Sequence, residues 1–596
     1  MEIESGSDTV RRDWLIFILG VLAAVWFFFD YGNHHPLGFA DASFGKQRII
    51  NQGMDTFNDL GYSLSETDFR PSYRIRSNLL DSLQKQVEVK SFFADSVNRR
   101  AYHATYWNLD VYLPTPEEDL FEFESPDIQA VYNLRYNEEG GWLEFRNPNQ
   151  RRPLRLLNTE AVQSARPLPP SVLLMAREDS LVPDYFLFDL SRDEFQQESE
   201  TGADRVVISR SNAQDIARYY LSQSAWPDSL LEFQSIRLVP FDTFEAAELI
   251  FEMESEHVRQ RLELNMKISP GGALLGLEAS YPSVEDPARP LQFVLESIRG
   301  FMVVIFFFWL IILFYIRMRL RVIDIKSAIL FAVLAGIFFP AFELSGWLFQ
   351  NLGGPEPPGV IDIIMLFIMI SLMAAFVSLG FFIVAVTGES LTRQNWTEKL
   401  RTLDLIRIGH FFNRPVGVTF IHAASFGLLL AALWSALQWI FPGGYITVNS
   451  TFETDQAYLA PLVHLATQFL ICFIIIQSVY LVLIGQLRKF TKNPFLILGV
   501  SVLVFGLMAP VNTDMGPAGF EILVSGSIGL GLGVLYLARD LLTTFLSFFL
   551  FTILISTADG WVMQNSPDSI VFYPVVGLLI SFLVFGYLAV SRGKSV

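Results

Sequence analysis

Long apolar stretches separated by short polar breaks dominate the second half of the chain. Nine such stretches follow residue 297, and most approach the length of about 20 residues that a helix needs to cross the roughly 30 Å hydrocarbon layer of a membrane. They lie at approximately 298–316, 326–349, 360–386, 416–441, 457–486, 494–511, 519–537, 541–557 and 569–590. The pattern predicts a membrane domain of about nine transmembrane helices over residues 297–596, in which the break at 538–540 is the least marked.

A further apolar run, from Trp14 to Phe29, lies near the N-terminus behind Arg11 and Arg12. A cleavable signal peptide is one interpretation of this run, and a transmembrane anchor is the other. The bulky residues 26–29 occupy the place where a signal peptidase needs small residues. We therefore expect residues 1–30 to form a cytoplasmic tail and an uncleaved anchor, which brings the total to about ten transmembrane helices.

Lysine and arginine are distributed very unevenly among the breaks between these runs. Fifteen of them fall in breaks, or after the last run, on the same side as Arg11 and Arg12. The opposite breaks, at 350–359, 442–456, 512–518 and 558–568, contain none. Because cytoplasmic loops carry the excess of Lys and Arg, the sequence predicts a multi-pass protein with both termini in the cytoplasm and residues 31–296 outside it.

The block at 31–296 has the periodicity of an α+β domain. Apolar residues recur at helical spacing after Phe44 and again after Ser211, and each helical pattern is followed by strands that alternate apolar and polar residues. The clearest hairpin has its turn at 137–141. This repeated order resembles a pair of PepSY-type modules, at about 31–160 and 205–290. The predicted fold class is a polytopic α-helical membrane protein with an α+β extracytoplasmic domain between its first and second transmembrane helices.

Composition separates the same two parts. The 596 residues are 51% hydrophobic and 17% charged, and the formal net charge is −18. Residues 30–296 carry essentially all of this negative charge, whereas residues 297–596 are close to neutral. A chain without a basic face is not expected to bind nucleic acid. Its long apolar runs make the lipid bilayer its first expected partner. The single cysteine, Cys472, excludes an intrachain disulfide and a cysteine-rich metal site.

Ionisable residues inside membrane spans are costly and therefore mark candidate functional positions. Glu343, His464 and Glu521 fall in predicted spans, towards the external side, and His422 falls towards the cytoplasmic side. Histidine and carboxylate ligands suit zinc, so the first three residues are candidate metal ligands. Because no pair among them has ligand spacing, hydrogen-bonded contacts between helices are the preferred interpretation.

Small residues form a stripe along one predicted span. Ser525, Gly529 and Gly533 recur every four residues and so lie on one face of a helix. In membranes such a face lets a neighbouring helix approach closely. We expect another helix to pack against this stripe.

One part of the membrane domain resembles a known family of intramembrane proteases. Residues 487–496 read LRKFTKNPFL, residues 529–537 read GLGLGVLYL, and the predicted cytoplasmic loop contains WTEKL at 396–400 and FFNRPVG at 411–417. With these segments, residues 320–590 are similar to the CPBP family, also called the CAAX-protease/bacteriocin-processing or ABI family. The resemblance is to long bacterial members that carry an external N-terminal region. It implies location in the bacterial cytoplasmic (inner) membrane and an intramembrane fold that uses zinc to hydrolyse peptide bonds.

The catalytic residues that this resemblance implies are missing from the matching positions. The family uses a glutamate pair followed by arginine, and two histidine motifs. These fall on Ile475, Ile476, Tyr480, Ala509 and Phe549, none of which can ligate zinc as an imidazole or carboxylate does. Glu389 and Arg393 form a Glu-x-x-x-Arg in the preceding loop, which we interpret as an i,i+4 ion pair at a helix start. We therefore expect no catalytic residues and no cofactor.

Three functions are compatible with this sequence. The first is a catalytically inactive, CPBP-like membrane protein that binds or scaffolds a peptide or a membrane-protein partner. The second is an active metal-dependent endopeptidase with rearranged ligands, which would contain zinc. The third is an accessory subunit of a transporter, although the sequence lacks the internal repeats that are common in transporters.

Overall fold

The computed structural model describes residues 6–592, apart from several internal segments. The segments left out are 42, 60–63, 86, 113–130, 147–209, 242–243, 254–260, 269–273, 281–288, 322–324, 353–359, 442–443, 447–460, 510–514 and 564–568. The described part is mostly helical and contains one large antiparallel sheet. Long apolar helices make it a membrane-embedded protein with a separate sheet domain.

Within the described residues, five α-helices and eight strands lie between α1 (Gly6–His34) and the second long apolar helix and form the sheet domain. Helix α1 belongs to the membrane part. The five helices are α2 (Lys46–Asp59), α3 (Ser77–Gln84), α4 (Val89–Ala94), α5 (Ser96–Tyr102) and α6 (Arg210–Gln223). The strands are β1 (Phe69–Ile75), β2 (Thr105–Tyr112), β3 (Val131–Tyr136), β4 (Trp142–Arg146), β5 (Glu232–Phe241), β6 (Phe244–Met253), β7 (Leu262–Ile268) and β8 (Leu274–Ser280).

All eight strands belong to a single sheet, in the order β1-β2-β3-β4-β8-β7-β6-β5. Strands β1 to β4 and β5 to β8 each form an antiparallel meander, and the two meanders join where Phe145 of β4 pairs with Leu277 of β8. Alternate residues point to one face, as β7 illustrates with buried Leu262, Leu264 and Met266. Helices α2 and α6 contribute to the same apolar core as both meanders.

The helix from Ser211 and the hairpin turning at 137–141 are confirmed by α6 and by the pair β3–β4. The two halves of the domain share one sheet and one apolar core. Sequence periodicity reports which face of each strand is buried, but the pairing of β4 with β8 depends on contacts between distant segments. The likeness to PepSY-type modules remains a prediction.

Helices are found at all ten positions that the apolar pattern indicates. After α1 they are α7 (Arg289–Arg319), α8 (Ile325–Leu352), α9 (Val360–Asn395), α11 (Arg414–Ile440), α12 (Pro461–Leu487), α13 (Pro494–Met508), α14 (Ala518–Ala538), α15 (Leu541–Ser556) and α17 (Ser569–Arg592). The short helices α10 (Arg401–Arg407) and α16 (Asp559–Val562), and the paired strands β9 (Tyr445–Ile446) and β10 (Met515–Gly516), lie between them.

Eight of these helices, within the described residues, are long and apolar enough to cross a membrane. The other two, α13 and α15, have 15 and 16 residues, which is fewer than the about 20 that a span requires. The expected number of ten therefore includes two shorter apolar helices. Every residue from 541 to 555 is buried, so α15 forms the centre of the bundle. The break at 538–540 is real, because Asp540 caps α15 by accepting a hydrogen bond from the Thr543 N–H at 2.9 Å.

The small-residue stripe is confirmed as a close helix contact. Helix α13 packs on α14 so tightly that a Cβ atom added at Gly529 would lie 2.7 Å from the Ser501 carbonyl oxygen. A Cβ atom at Gly533 would lie 3.2 Å from the Ser501 Cβ. The absence of side chains at these two positions is what permits the approach.

Helix α1 is an integral part of the bundle. It runs alongside α11, where a Cβ atom added at Gly20 would lie 2.6 Å from Ser425 Cβ. Polar contacts hold both ends of the pair, since Asp13 lies 3.2 Å from His422 Nε2 and the Ser435 hydroxyl donates to Asp30 at 2.8 Å. Helix α1 therefore packs against α11 over most of its apolar length.

The sheet domain and the basic loops contact opposite ends of the bundle. The sheet domain contacts the C-terminal ends of α1 and α11, and Met563, which follows α16, belongs to its core. At the other end, Arg539 lies 3.2 Å from Asp13. The last helix, α17, also ends there, because Gly586 packs against Gly417 at the start of α11.

Candidate binding cavity and the closed helical core

The positions that match the protease family lie in a closed part of the helical core. Helix α12 contains a π-helical segment, Gln477–Leu483, immediately after Ile476. Within it, the Tyr480 hydroxyl lies 2.7 Å from the Ser501 hydroxyl, which donates to the Gly529 carbonyl at 2.6 Å. These bonds join α12, α13 and α14 and satisfy both buried hydroxyls.

The remaining matched positions add no reactive group to this region. Ile475 is partly buried in the same apolar cluster, and Phe549 is 3% exposed. Ala509 ends α13 in a left-handed conformation with φ 39°. Five side chains of this chemistry can pack and hydrogen bond, but they supply neither an acid–base pair nor metal ligands. Sequence reasoning located the region but gave no sign of the π-helical segment, which depends on packing in the bundle.

The three candidate metal ligands occupy different surroundings. Glu521 forms an ion pair with Arg299 of α7, at 2.7 Å, and Arg299 also donates to the Leu507 carbonyl at 2.8 Å. His464 packs against the Phe342 ring, with 5.7 Å between ring centroids, while Glu343 is exposed. Among the described residues there is no group of three or more His, Cys, Asp or Glu that could hold a metal ion. Glu521 and His464 therefore make the contacts between helices that the sequence predicts.

The Glu-x-x-x-Arg pair belongs to a network of four charges at the basic end of the bundle. Arg393 donates to Glu389 at 2.8 Å and to Asp404 at 2.6 Å, and Arg407 donates to Glu389 at 2.6 Å. The predicted ion pair is confirmed, but it lies near the end of α9 and not at a helix start. Glu389 is already engaged by two guanidinium groups. The network of four charges attaches α10 to α9.

Lys399 is a buried cation at the same end of the bundle. Its ammonium donates to the carbonyl oxygens of Tyr536, Leu537 and Arg539 at 2.6, 2.9 and 2.6 Å, and thereby caps the C-terminus of α14. It also lies 4.7 Å from the centre of the Trp396 ring. Burial lowers the pKa of Lys399 to about 8, so the ammonium remains mostly protonated at neutral pH.

A second buried charge cluster lies inside the sheet domain. The carboxylate of Glu144 on β4 is fully buried and forms ion pairs with Arg76 and with Arg135, the latter at 2.6 Å. Burial alone would raise the pKa of Glu144, but the two guanidinium groups outweigh it and lower the pKa. His103 lies close by, in a left-handed conformation, and burial lowers its pKa to about 3. These groups stabilise the domain, and Glu144 itself has no exposed surface.

A cavity of about 660 Å³ lies between the sheet domain and the ends of the membrane helices. Its volume is within the range of about 300–1,000 Å³ that small-molecule sites occupy. Four segments that are distant in sequence line it. They are 33–35 at the end of α1, 84–85 with 87–90 from the end of α3 to the start of α4, 438–439 at the end of α11, and 444–446 at β9.

Specific hydrogen bonds hold the walls of this cavity in place. The Gln84 amide donates to the Ile446 carbonyl at 2.9 Å and accepts from the Ile446 N–H at 3.1 Å. Lys90 donates to the Asn33 side chain at 2.7 Å, which connects α4 to α1. These bonds attach the sheet domain to both membrane elements, so the cavity is a built feature of the molecule. Sequence reasoning missed it because no local pattern relates residues 84 and 446.

A smaller pocket of about 240 Å³ lies within the sheet domain, beside Glu138. The Glu138 carboxylate accepts hydrogen bonds from the Tyr73 hydroxyl at 2.7 Å and the Asp41 N–H at 3.1 Å, and pairs with Arg99 at 2.5 Å. These groups use most of the hydrogen-bonding capacity of the Glu138 carboxylate. The larger cavity therefore has more capacity to receive a ligand.

No protein-family model, no curated protein and no solved structure matches this chain. The resemblances to CPBP proteases and to PepSY-type modules therefore rest on the residues quoted for them. What the structure establishes is the architecture. The chain is a membrane-embedded protein with eight candidate membrane-spanning helices among its described residues and an eight-stranded sheet domain packed on one end of them.

Proposed function

We propose that this protein is a catalytically inactive binding protein of the bacterial cytoplasmic membrane, which holds a peptide or a membrane-protein partner in the cavity between its two domains. The sheet domain lies outside the cytoplasm, and both termini lie inside. The cavity of about 660 Å³ is the observation that carries the proposal. It lies where an external segment of a partner and the helix ends of this protein would meet.

The chemistry of the helical core supports binding over catalysis. Ile476, Tyr480 and Phe549 fill the positions where a CPBP protease would hold zinc, and their neighbours satisfy the buried hydroxyls. Glu521 is neutralised by Arg299. A working metalloprotease needs protein ligands that hold a metal and leave one coordination position open to water, and the described residues of this core form no such group.

The distribution of charge supports the proposed orientation. The clustered arginines and Lys399 lie at the end of the bundle that is opposite the sheet domain, together with the start of α1 and the end of α17. This arrangement agrees with the expectation that basic loops stay in the cytoplasm.

Site-specific photocrosslinking in native membranes tests the proposed site. We expect benzoylphenylalanine at position 439, where Trp439 is 64% exposed beside the cavity, to yield a protein adduct identifiable by mass spectrometry. The matched control is position 411, since Phe411 is 49% exposed in the loop at the opposite end of the bundle. Equal adducts at both positions, or none at position 439, would contradict the proposal.

Zinc content distinguishes the proposed function from an active endopeptidase. The protein purified from zinc-supplemented cells is expected to contain far less than one zinc per chain, and Glu343→Ala and His464→Ala are expected to leave that content unchanged. The physical reason is that these side chains do not converge, because His464 faces Phe342 while Glu343 is exposed. Stoichiometric zinc that is lost in either variant, together with peptide cleavage, would establish the endopeptidase instead.

A further inference from the structure

We infer that the turn between α12 and α13, residues 488–493, binds the headgroup of an acidic phospholipid. The inference does not depend on what occupies the cavity, because this turn lies at the opposite end of the bundle, beside Trp396 and Lys399. Three features of the turn lead to it: its place at the end of a membrane helix, its exposed side chains and its fixed backbone.

The turn begins where a membrane helix ends. Helix α12 is long and apolar enough to cross a membrane and ends at Leu487, and the apolar helix α13 begins at Pro494. Residues that directly follow such a helix lie at the level of the lipid headgroups. Phospholipid headgroups are therefore the groups that surround the turn.

Exposed cations and exposed aromatic rings alternate along the turn. Lys489 and Lys492 are exposed, Phe490 between them is 76% exposed, and Phe495 at the start of α13 is 79% exposed. Residues 484–496 contain no Asp or Glu, and the described part of the chain offers no carboxylate that pairs with either lysine. Aromatic rings favour the membrane interface and ammonium groups attract lipid phosphates, so this combination indicates a phospholipid as the ligand.

Contacts within the chain fix the backbone of the turn. Arg488 donates to the Lys492 carbonyl at 2.9 Å, and its guanidinium lies 4.4 Å from the centre of the Trp396 ring. Asn493 caps α13 by accepting a hydrogen bond from a backbone N–H at 3.0 Å. Arg488 is thus engaged within the protein, whereas Lys489 and Lys492 are exposed. A preformed turn loses little conformational freedom when a headgroup binds.

The charge of the turn selects among phospholipids. Phosphatidylcholine carries a choline cation that compensates its phosphate, whereas phosphatidylglycerol has no such cation. Lys489 and Lys492 therefore favour the phosphatidylglycerol headgroup. The exposed ring of Phe490 adds contact with the lipid interface, which a free phosphate ion does not provide.

Fluorescence quenching on the full-length protein in nanodiscs tests the inference. A bimane label is attached at Phe490→Cys in a Cys472→Ala background, so that an apolar ring remains at position 490. The quencher is phosphatidylglycerol or phosphatidylcholine with a spin label on one acyl chain near the headgroup, at a series of mole fractions. We expect phosphatidylglycerol to associate about fivefold more strongly, as when one exposed lysine at a time contacts the phosphate.

Two double variants separate this site from general attraction to an acidic membrane. Lys489→Gln/Lys492→Gln should lower the preference for phosphatidylglycerol to about onefold. The control Arg319→Gln/Arg321→Gln removes two exposed cations after α7, at the same end of the bundle. It should leave the preference at position 490 unchanged, because exposed charges are screened beyond about 8 Å at physiological salt.

Three results would overturn the inference. They are equal association of the two lipids with the unaltered turn, an equal loss of preference in the control variant, and a label that neither lipid quenches. The last would assign the turn to a protein contact, such as a second copy of this chain. An unchanged melting temperature of Lys489→Gln/Lys492→Gln shows that a lost preference does not come from unfolding.

Discussion

Replacing Glu144 with glutamine is expected to destabilise the sheet domain by about 3–5 kcal/mol, the cost typical of removing one partner from a buried ion pair. The fully buried carboxylate compensates Arg76 and Arg135, which are themselves mostly buried. Glutamine keeps the size of the side chain but leaves both guanidinium groups without a compensating charge in a region of low dielectric constant. The lowered pKa of Glu144 reflects the same interaction.

The measurement is thermal unfolding of the full-length protein in detergent, followed by limited proteolysis of the sheet domain. The matched control is Glu278→Gln, because Glu278 forms an exposed pair with Arg146 at 3.4 Å and such pairs contribute about 0–1 kcal/mol. If Glu144→Gln lowers the unfolding temperature no more than Glu278→Gln does, the buried cluster is not as described.

Replacing Lys399 with methionine is expected to destabilise the membrane domain by about 3 kcal/mol, since each hydrogen bond to a charged group contributes about 1.5–3 kcal/mol and the three are not additive. Methionine retains the apolar stem but leaves the carbonyls of Tyr536, Leu537 and Arg539 without this donor. The end of α14 would then lose its attachment to the segment that follows α9.

The melting temperature of the detergent-solubilised protein reports this change. Lys489→Met is the control, because Lys489 is exposed at the same end of the bundle. Lys399→Arg should recover only part of the stability, since a planar guanidinium does not match three convergent carbonyls. A melting temperature of Lys399→Met equal to that of Lys489→Met would contradict the cap.

Apolar periodicity predicted the positions of the long helices, because lipid and core contacts both require continuous apolar surface. It does not distinguish helices that face lipid from α15, which is equally apolar but lies wholly inside the bundle. The spacing of Ser525, Gly529 and Gly533 predicted a close helix contact, and α13 provides it. Local patterns of this kind can be read directly from sequence.

Features that depend on contacts between distant segments were not predictable in this way. The ion pair of Arg299 with Glu521 joins residues 222 positions apart, and no local spacing relates them. The cavity is formed by four separate segments, and the bonds of Gln84 to Ile446 that support it span 362 positions. For the same reason, Glu521 was a candidate metal ligand in the sequence, although its partner in the structure is an arginine.

The central claim is that a partner occupies the cavity between the sheet domain and the membrane helices. The most direct measurement is the yield of protein adducts from benzoylphenylalanine at position 439 compared with position 411, in native membranes under the same irradiation. We predict a discrete partner adduct at position 439 that is absent at position 411. A yield at position 439 that does not exceed the yield at position 411 would contradict the claim.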